Sequence, residues 1–326
     1  MQQNFWSKLP KPILALAPMA NVTDAAFRQM FARYGKPDVI FTEFVSVEGL
    51  LSSGRERLLV DFWFGQNEHP IVAQIFGNQP DQFEKVANLI HKLGFDGIDI
   101  NMGCPDKSVE KQGAGAALMK NPERAVEILR AAKQGARGLP ISVKTRLGYK
   151  TNEIETWLPI LLKEDLAALT VHLRTRREMS DVAAHWELAA DIVTLRDRMA
   201  PQTIILGNGD VETVADARKK VKETGIDGVM IGRGAFGRPW FFSKNTPSLA
   251  ERLAIMAEHA ELFQKLYKSD SKKAEGKLKN FDLMKKHFQA YATGFGGAKE
   301  LRVRLMKTEN AFQVRELTQN FIQKLE

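Results

Sequence analysis

The sequence predicts an α/β chain, a (β/α)8 TIM barrel followed by a small C-terminal helical bundle, and three observations carry that prediction. Up to about residue 240, eight short apolar or β-branched runs alternate with amphipathic helical stretches, the alternation expected of a parallel barrel. Almost every run ends on a hydrogen-bonding or charged residue, as strand carboxyl ends do where a barrel carries chemistry. From about residue 247 only helical periodicity remains.

The strands fall at 13–17, 39–42, 71–76, 97–101, 141–145, 169–172, 203–206 and 228–231. Helical patterns lie between them, at 24–34, 80–93, 122–134, 153–163, 186–197 and 211–224. The intervals close on turn chemistry such as Leu-Gly-Phe-Asp-Gly at 93–97 and Thr-Gly-Ile-Asp-Gly at 224–228. A doubly wound sheet is the rival, but its glycine-rich first turn is missing from Ala17-Pro18-Met19-Ala20. Beyond the barrel, 249–267, 281–293, 299–307 and 310–323 read as helices, with a polar connection over 268–277. The expected domains are therefore 1–244 and 245–326.

Composition narrows the class. A chain of 326 residues, 44% hydrophobic and 26% charged, has ample material for an apolar core. Its one cysteine excludes an intrachain disulfide framework and fits a reducing cytoplasm. No apolar run approaches the roughly 18 residues of a membrane span, and the amino terminus lacks a signal-peptide pattern. A cytoplasmic protein with no membrane association, no metal and a monomeric state is expected. Net charge is +8, unevenly spread. Residues 245–326 hold 15 Lys and Arg against 10 Asp and Glu, whereas residues 1–244 hold 32 against 29. The basic clusters at 265–286 and 299–307 are either a solvated helical surface or a polyanion-binding face.

Residues 98–105, Ile-Asp-Ile-Asn-Met-Gly-Cys-Pro, contain that lone cysteine. Alternating Ile98, Ile100 and Met102 make a strand, which Gly103 and Pro105 break, so Cys104 sits on a loop just past a strand's carboxyl end. A thiol there is placed for chemistry, whereas structural thiols usually lie inside elements. The other ends offer Pro18-Met19, Glu43, Gln74, Asn101, Lys144 with Arg146, His172 with Arg174, Asn208-Gly209-Asp210 and Gly232-Arg233-Gly234. Each has a structural reading on its own: Gln74 as a loop cap, His172 as a core imidazole, Lys144 as half of an ion pair. Their shared topological position favours a joint site. The last two clusters follow the seventh and eighth strands, where barrels commonly cradle phosphate on backbone N–H groups, and Arg233 adds a charge.

Seven motifs in order resemble the tRNA-dihydrouridine synthases: 17–24 (APMANVTD), 99–105 (DINMGCP), 113–118 (GAGAAL), 143–148 (VKTRLG), 171–176 (VHLRTR), 207–210 (GNGD) and 230–240 (MIGRGAFGRPW). The similarity spans the whole barrel, and the basic helical tail resembles the family's tRNA-binding domain. The resemblance implies FMN-dependent reduction of the C5–C6 double bond of particular uridines in tRNA, with NADPH as electron donor. It implies that Pro18, Met19 and Gln74 contact the isoalloxazine, as do Lys144 and His172, while Asn208, Asp210, Gly232 and Arg233 hold the ribityl-phosphate end. Cys104 matches the catalytic cysteine, and Asn101, Arg146 and Arg174 match residues around the uracil. In that chemistry hydride reaches C6 from flavin N5, and Cys104, as a neutral thiol with an ordinary pKa near 8.5, gives its proton to C5. One departure stands out. Leu173 follows His172 where the family often has glycine or alanine, so it would narrow the pocket or move Arg174.

Other functions fit parts of the pattern. A Schiff-base lyase would use Lys144 and the phosphate cradle but leave Cys104 and the basic tail idle. A flavin oxidoreductase acting on a free metabolite would share the barrel site, with only the tail against it. A non-catalytic RNA-binding module would leave the strand-end constellation without a role.

Overall fold

The computed structural model describes residues 4–268 and 278–324. Apart from Lys268, the polar connection at 268–277 lies outside the described residues. Nine parallel strands occur in chain order: β1 (Ile13–Leu16), β2 (Val39–Phe41), β3 (Val45–Ser46), β4 (Ile71–Phe76), β5 (Gly97–Asn101), β6 (Ile141–Arg146), β7 (Ala168–His172), β8 (Ile204–Asn208) and β9 (Gly228–Ile231). Their order runs β2-β1-β9-β8-β7-β6-β5-β4, and β2 also pairs with β4, which closes an eight-stranded barrel. The two-residue β3, absent from the sequence reading, only extends the β4 edge at Val45↔Ile75 and Ser46↔Phe76.

Strands covered on both faces read as continuous apolar runs, and period-two alternation decides which residues point inward. Ile13 and Ala15 of β1, Val39 and Phe41, Val72, Ala168, Ile204 and Leu206, and Met230 form one buried interior cluster with Trp6. Residues of the same parity further along each strand are polar: Gln74, Asp99, Asn101, Ser142, Lys144, Thr170, His172 and Asn208. The interior is thus apolar where the strands begin and polar where they end.

The described chain divides into two compact units. The first gathers residues up to 19, 38–62 and 69–234; the second gathers 20–37, 63–68 and the residues from 235 on. Between the strands, the chain forms α1 (Ala25–Tyr34), the short α2 (Val47–Leu50), α3 (Arg55–Leu59), α4 (Pro80–Leu93), α5 (Lys107–Glu110), α6 (Pro122–Ala136), α7 (Ile154–Leu162), α8 (Ala189–Met199) and α9 (Val214–Thr224). In the tail lie α10 (Leu249–Tyr267), α11 (Met284–Tyr291), α12 (Ala298–Leu305) and α13 (Ala311–Ile322).

Although α1 lies between two barrel strands in sequence, it groups with the tail. Its face carries Phe27, Met30 and Phe31, all fully buried. The Phe27 ring stacks on His259 of α10 with centroids 5.2 Å apart and meets His287 of α11 edge-on at 4.7 Å. The Ala25 N–H donates to the Tyr267 hydroxyl at 3.0 Å, and the fully buried Arg28 pairs with Glu68 at 2.8 Å.

Differences from the expected bounds have local causes. The strand expected at 203–206 runs on to Asn208, because the ladder with β7 continues through Val171↔Gly207 and His172↔Asn208; the Trp186 ring covers Gly207, where a Cβ would lie 2.7 Å from ring atoms. Trp186–Leu188 is a 3-10 turn, and α8 begins only at Ala189. The helix expected from 211 begins at Val214, since the Thr213 side chain accepts the Asp216 N–H at 3.0 Å and caps it. None of the described helices is long and apolar enough to cross a membrane.

Candidate active site

Register lines up the polar ends. Gln74 pairs across to Asp99 and Asp99 to Ser142, while Asn101 pairs with Lys144. One step further, Arg146 pairs with His172, and His172 with Asn208. Adjacent parallel strands therefore deliver these side chains to one mouth, in the first unit.

Cys104 stands two residues beyond Met102, whose N–H still donates to the Lys144 carbonyl at 2.8 Å. The chain then crosses β6 so closely that a Cβ on Gly103 would lie 3.0 Å from the Thr145 carbonyl carbon. The Asn101 side-chain oxygen accepts the Gly103 and Cys104 N–H groups at 3.2 and 2.9 Å. Gly115, at φ +59°, backs the loop; a Cβ there would lie 2.8 Å from the Cys104 carbonyl oxygen. The thiol is half-buried beside Phe44, Phe76, Val109 and Ala114. Burial pushes its pKa up, against the lowering effect of the Asp106 N–H and of Lys144 and Arg146. It is a thiol, not a thiolate, at neutral pH.

Asn101 is itself held. Its amide nitrogen donates to Gln74 Oε1 at 3.0 Å, and Gln74 Nε2 donates to Asp99 Oδ2 at 2.7 Å. The Ser142 hydroxyl donates to Asp99 Oδ1 at 2.6 Å. Gln74 and Asp99 are fully buried, and burial raises Asp99 from the usual carboxylate range to about 6.

Lys144 follows on β6. Burial, then the Arg146 charge, lower its ammonium to about 8, while Asp99 and Cys104 pull the other way. Arg146 is buried and largely committed: Nε donates to the Gly103 carbonyl at 2.9 Å, and Nη1 to the Thr175 and Met179 carbonyls at 3.0 Å each. It ties the Cys104 loop to the loop after β7.

His172 and Arg174 form a second group. Arg174 is 2% exposed; its Nη1 lies 3.1 Å from His172 Nε2, and Nε donates to the Val182 carbonyl at 2.7 Å. A guanidinium only donates, so His172 Nε2 accepts and the ring proton is on Nδ1. Burial, followed by the surrounding cations beginning with Lys144, drives the His172 pKa far below the ordinary imidazole value; the ring is neutral. Arg174 Nη2 bonds Asp210 Oδ2, which also accepts the Ala184 N–H at 2.9 Å, while Asp210 Oδ1 takes the exposed Arg233 at 3.2 Å. Asp210 is accordingly held below the usual carboxylate pKa, first by Arg174. Asn208 donates to the Met230 carbonyl at 2.8 Å, which leaves its side-chain oxygen. A Cβ on Gly232 would only touch Ala17 and Met19 Sδ, at 3.5 and 3.6 Å, so Gly232 and the half-exposed Pro18 and Met19 border one another. Leu173 is buried with the outward parity of Leu169 and Val171, the opposite of His172.

The structure thus joins Gln74, Asn101 and Cys104 by hydrogen bonds, and His172, Arg174, Asp210 and Arg233 by another set. The Lys144 charge acts on Cys104 and His172 alike. Sequence reading missed Asp99 and Ser142, hidden in what reads as an ordinary strand, though an acidic residue at an inward strand position is itself a signal. It also passed over the Arg176–Glu110 clamp, in which the guanidinium Nε lies 3.0 Å from both carboxylate oxygens.

A closed parallel barrel with this mouth defines a barrel enzyme. The family model for dihydrouridine synthase (Dus) matches residues 15–326. A "Probable tRNA-dihydrouridine synthase" of Staphylococcus aureus (strain Mu50) is 43% identical over 329 residues, 98% of this chain and 96% of that protein. "Probable tRNA-dihydrouridine synthase 2" of Bacillus subtilis (strain 168) is 42% identical, over 99% and 98%. The chain belongs to the dihydrouridine synthase family. Among solved structures, a variant of NCR from Zymomonas mobilis is similar at a TM-score of 0.50 and 17% identity, over 72% of this chain and 87% of that one; this is a likeness of fold.

Proposed function

We propose that this protein is a tRNA-dihydrouridine synthase, an oxidoreductase that uses bound FMN and NADPH to reduce the C5–C6 double bond of particular uridines in tRNA. The observation that carries the reading is a thiol on a loop pinned by Asn101, at the same barrel mouth as the half-buried Lys144 ammonium and an imidazole whose Nε2 faces Arg174. The residues suit a flavin. Among the described residues no hydrogen bond or ion pair holds the Lys144 ammonium, which leaves a cation for an electron-rich ring edge. His172 keeps an Nδ1–H to donate, and Asn208 an acceptor. Gly232 offers bare backbone beside Pro18 and Met19, and Arg233, steadied by Asp210, extends from the strand end as a phosphate partner does.

The bound flavin would supply hydride to C6. Cys104 holds a proton at Sγ and passes it to C5, a role that requires the thiol form its burial favours. Asn101, through the NH2 proton not given to Gln74, and Arg146, through an Nη2 that makes no hydrogen bond among the described residues, would meet the uracil carbonyls. Arg174, fully engaged with His172 and Asp210, is read as the group that orients the imidazole. A stacked uridine must leave its neighbours to reach such a mouth, at a cost that phosphate contacts from the basic residues beyond 244 would offset.

The test is dihydrouridine formation by purified protein in unmodified tRNA transcripts with NADPH, compared with free uridine and orotate. Product in tRNA alone, from yellow protein that releases FMN on denaturation, is expected. Turnover of the free pyrimidines with none in tRNA would overturn the reading.

A further inference from the structure

The fully buried Asp99 ends a chain of hydrogen bonds that reaches Cys104. Direction matters in that chain. An ionised carboxylate only accepts, so Gln74 must turn its NH2 toward Asp99 and its Oε1 away. That oxygen only accepts, so Asn101 must turn its own NH2 toward Gln74. The Asn101 oxygen is then left facing the Gly103 and Cys104 N–H groups, which need an acceptor. Each amide has two orientations of nearly equal shape, and the carboxylate at the far end selects one for both. The Ser142 hydroxyl, donating to the second oxygen at 2.6 Å, fixes the carboxylate.

We propose that Asp99 is a positioning residue that sets the polarity of the Gln74–Asn101 relay and so holds the Cys104 loop in its reactive placement. This rests on the reading of Cys104 as the proton donor only for its consequence in turnover; the relay itself is testable without it. Asp99→Asn removes the polarity lock at constant shape, because asparagine can present either O or NH2 to Gln74. The inverted relay would aim the Asn101 NH2 at two N–H groups and release the loop.

The measurement is alkylation of the lone cysteine by iodoacetamide in the full-length protein as purified, without tRNA or reductant. D99N is expected to react roughly tenfold faster than the parent, as for a loop that has lost its hydrogen-bond acceptor. An unchanged or slower rate overturns the proposal. Gln74→Glu in the D99N background supplies a fresh acceptor-only group one step along, which again turns the Asn101 NH2 away from the loop. The double variant should return to the parental rate, and should do so even if D99N alone folds poorly. A double variant as perturbed as the single one overturns the proposal. A protein that passes both tests but forms no dihydrouridine would contradict the proposed function and leave the relay standing.

Discussion

Cys104, Asp99 and His172 are three ionisable groups whose surroundings keep them away from their ordinary titration. The thiol is pushed up and the imidazole down, both first by burial, so both are neutral where the proposed chemistry needs neutral groups. Asp99 is raised from 3.8 to about 6. The folded state then binds this proton more tightly than the unfolded chain, so the contribution of Asp99 to stability falls as pH rises from about 4 to 6 and stays low above. Thermal melts should show the stability of D99N relative to the parent improving across that window, and a difference constant with pH would contradict the assignment. Arg174 permits a second test. In the parent, nitrogen NMR of His172 should report the proton on Nδ1, and Arg174→Ala should yield a mixture of tautomers; an unchanged spectrum would remove the guanidinium from that role. Cys104 was legible in sequence because a glycine and a proline announce its loop. The direction of Arg174 was not, since spacing gives a strand's parity but not where a long side chain finds its carboxylate.

Elements position these groups through close backbone approaches. The loop after β5 lies against β6 at Gly103 and is backed by Gly115, whose φ of +59° and 2.8 Å clearance from the Cys104 carbonyl leave no room for a side chain. Gly115→Ala is expected to cost about 1–3 kcal/mol and to speed alkylation of Cys104. Chemical denaturation and thiol kinetics check both, and parental values in each would show the backing to be dispensable. Eight strands and their carboxyl ends were readable because continuous apolar runs and turn residues mark them. The Trp186 cover on Gly207 was not. A tryptophan in a helical pattern does not say that it will fold back on a strand glycine.

At the scale of the molecule, the sequence pattern told which face of α1 is apolar but not what covers it. Phe27 and Ala25 meet α10 and α11, so cutting the chain after 244 would strip α1 of its partners. Such a truncation would test folding instead of RNA binding. Charge reversal is cleaner: Lys299, Arg304 and Lys307 are exposed on or just after α12. Changing all three to Glu should weaken tRNA binding and flatten its dependence on salt by roughly one logarithmic slope unit for each phosphate no longer neutralised. FMN content should not change. Affinity and salt slope equal to the parent's would mean that this face is only a solvated surface.

The most direct measurement is single-turnover reduction of unmodified tRNA by the reduced protein, parent against Cys104→Ala. With FMN and tRNA still bound, the variant should reduce uridine slower by about 10²–10⁴-fold, the contribution of a positioned general acid. Undiminished reduction in the variant would contradict the thiol as proton donor.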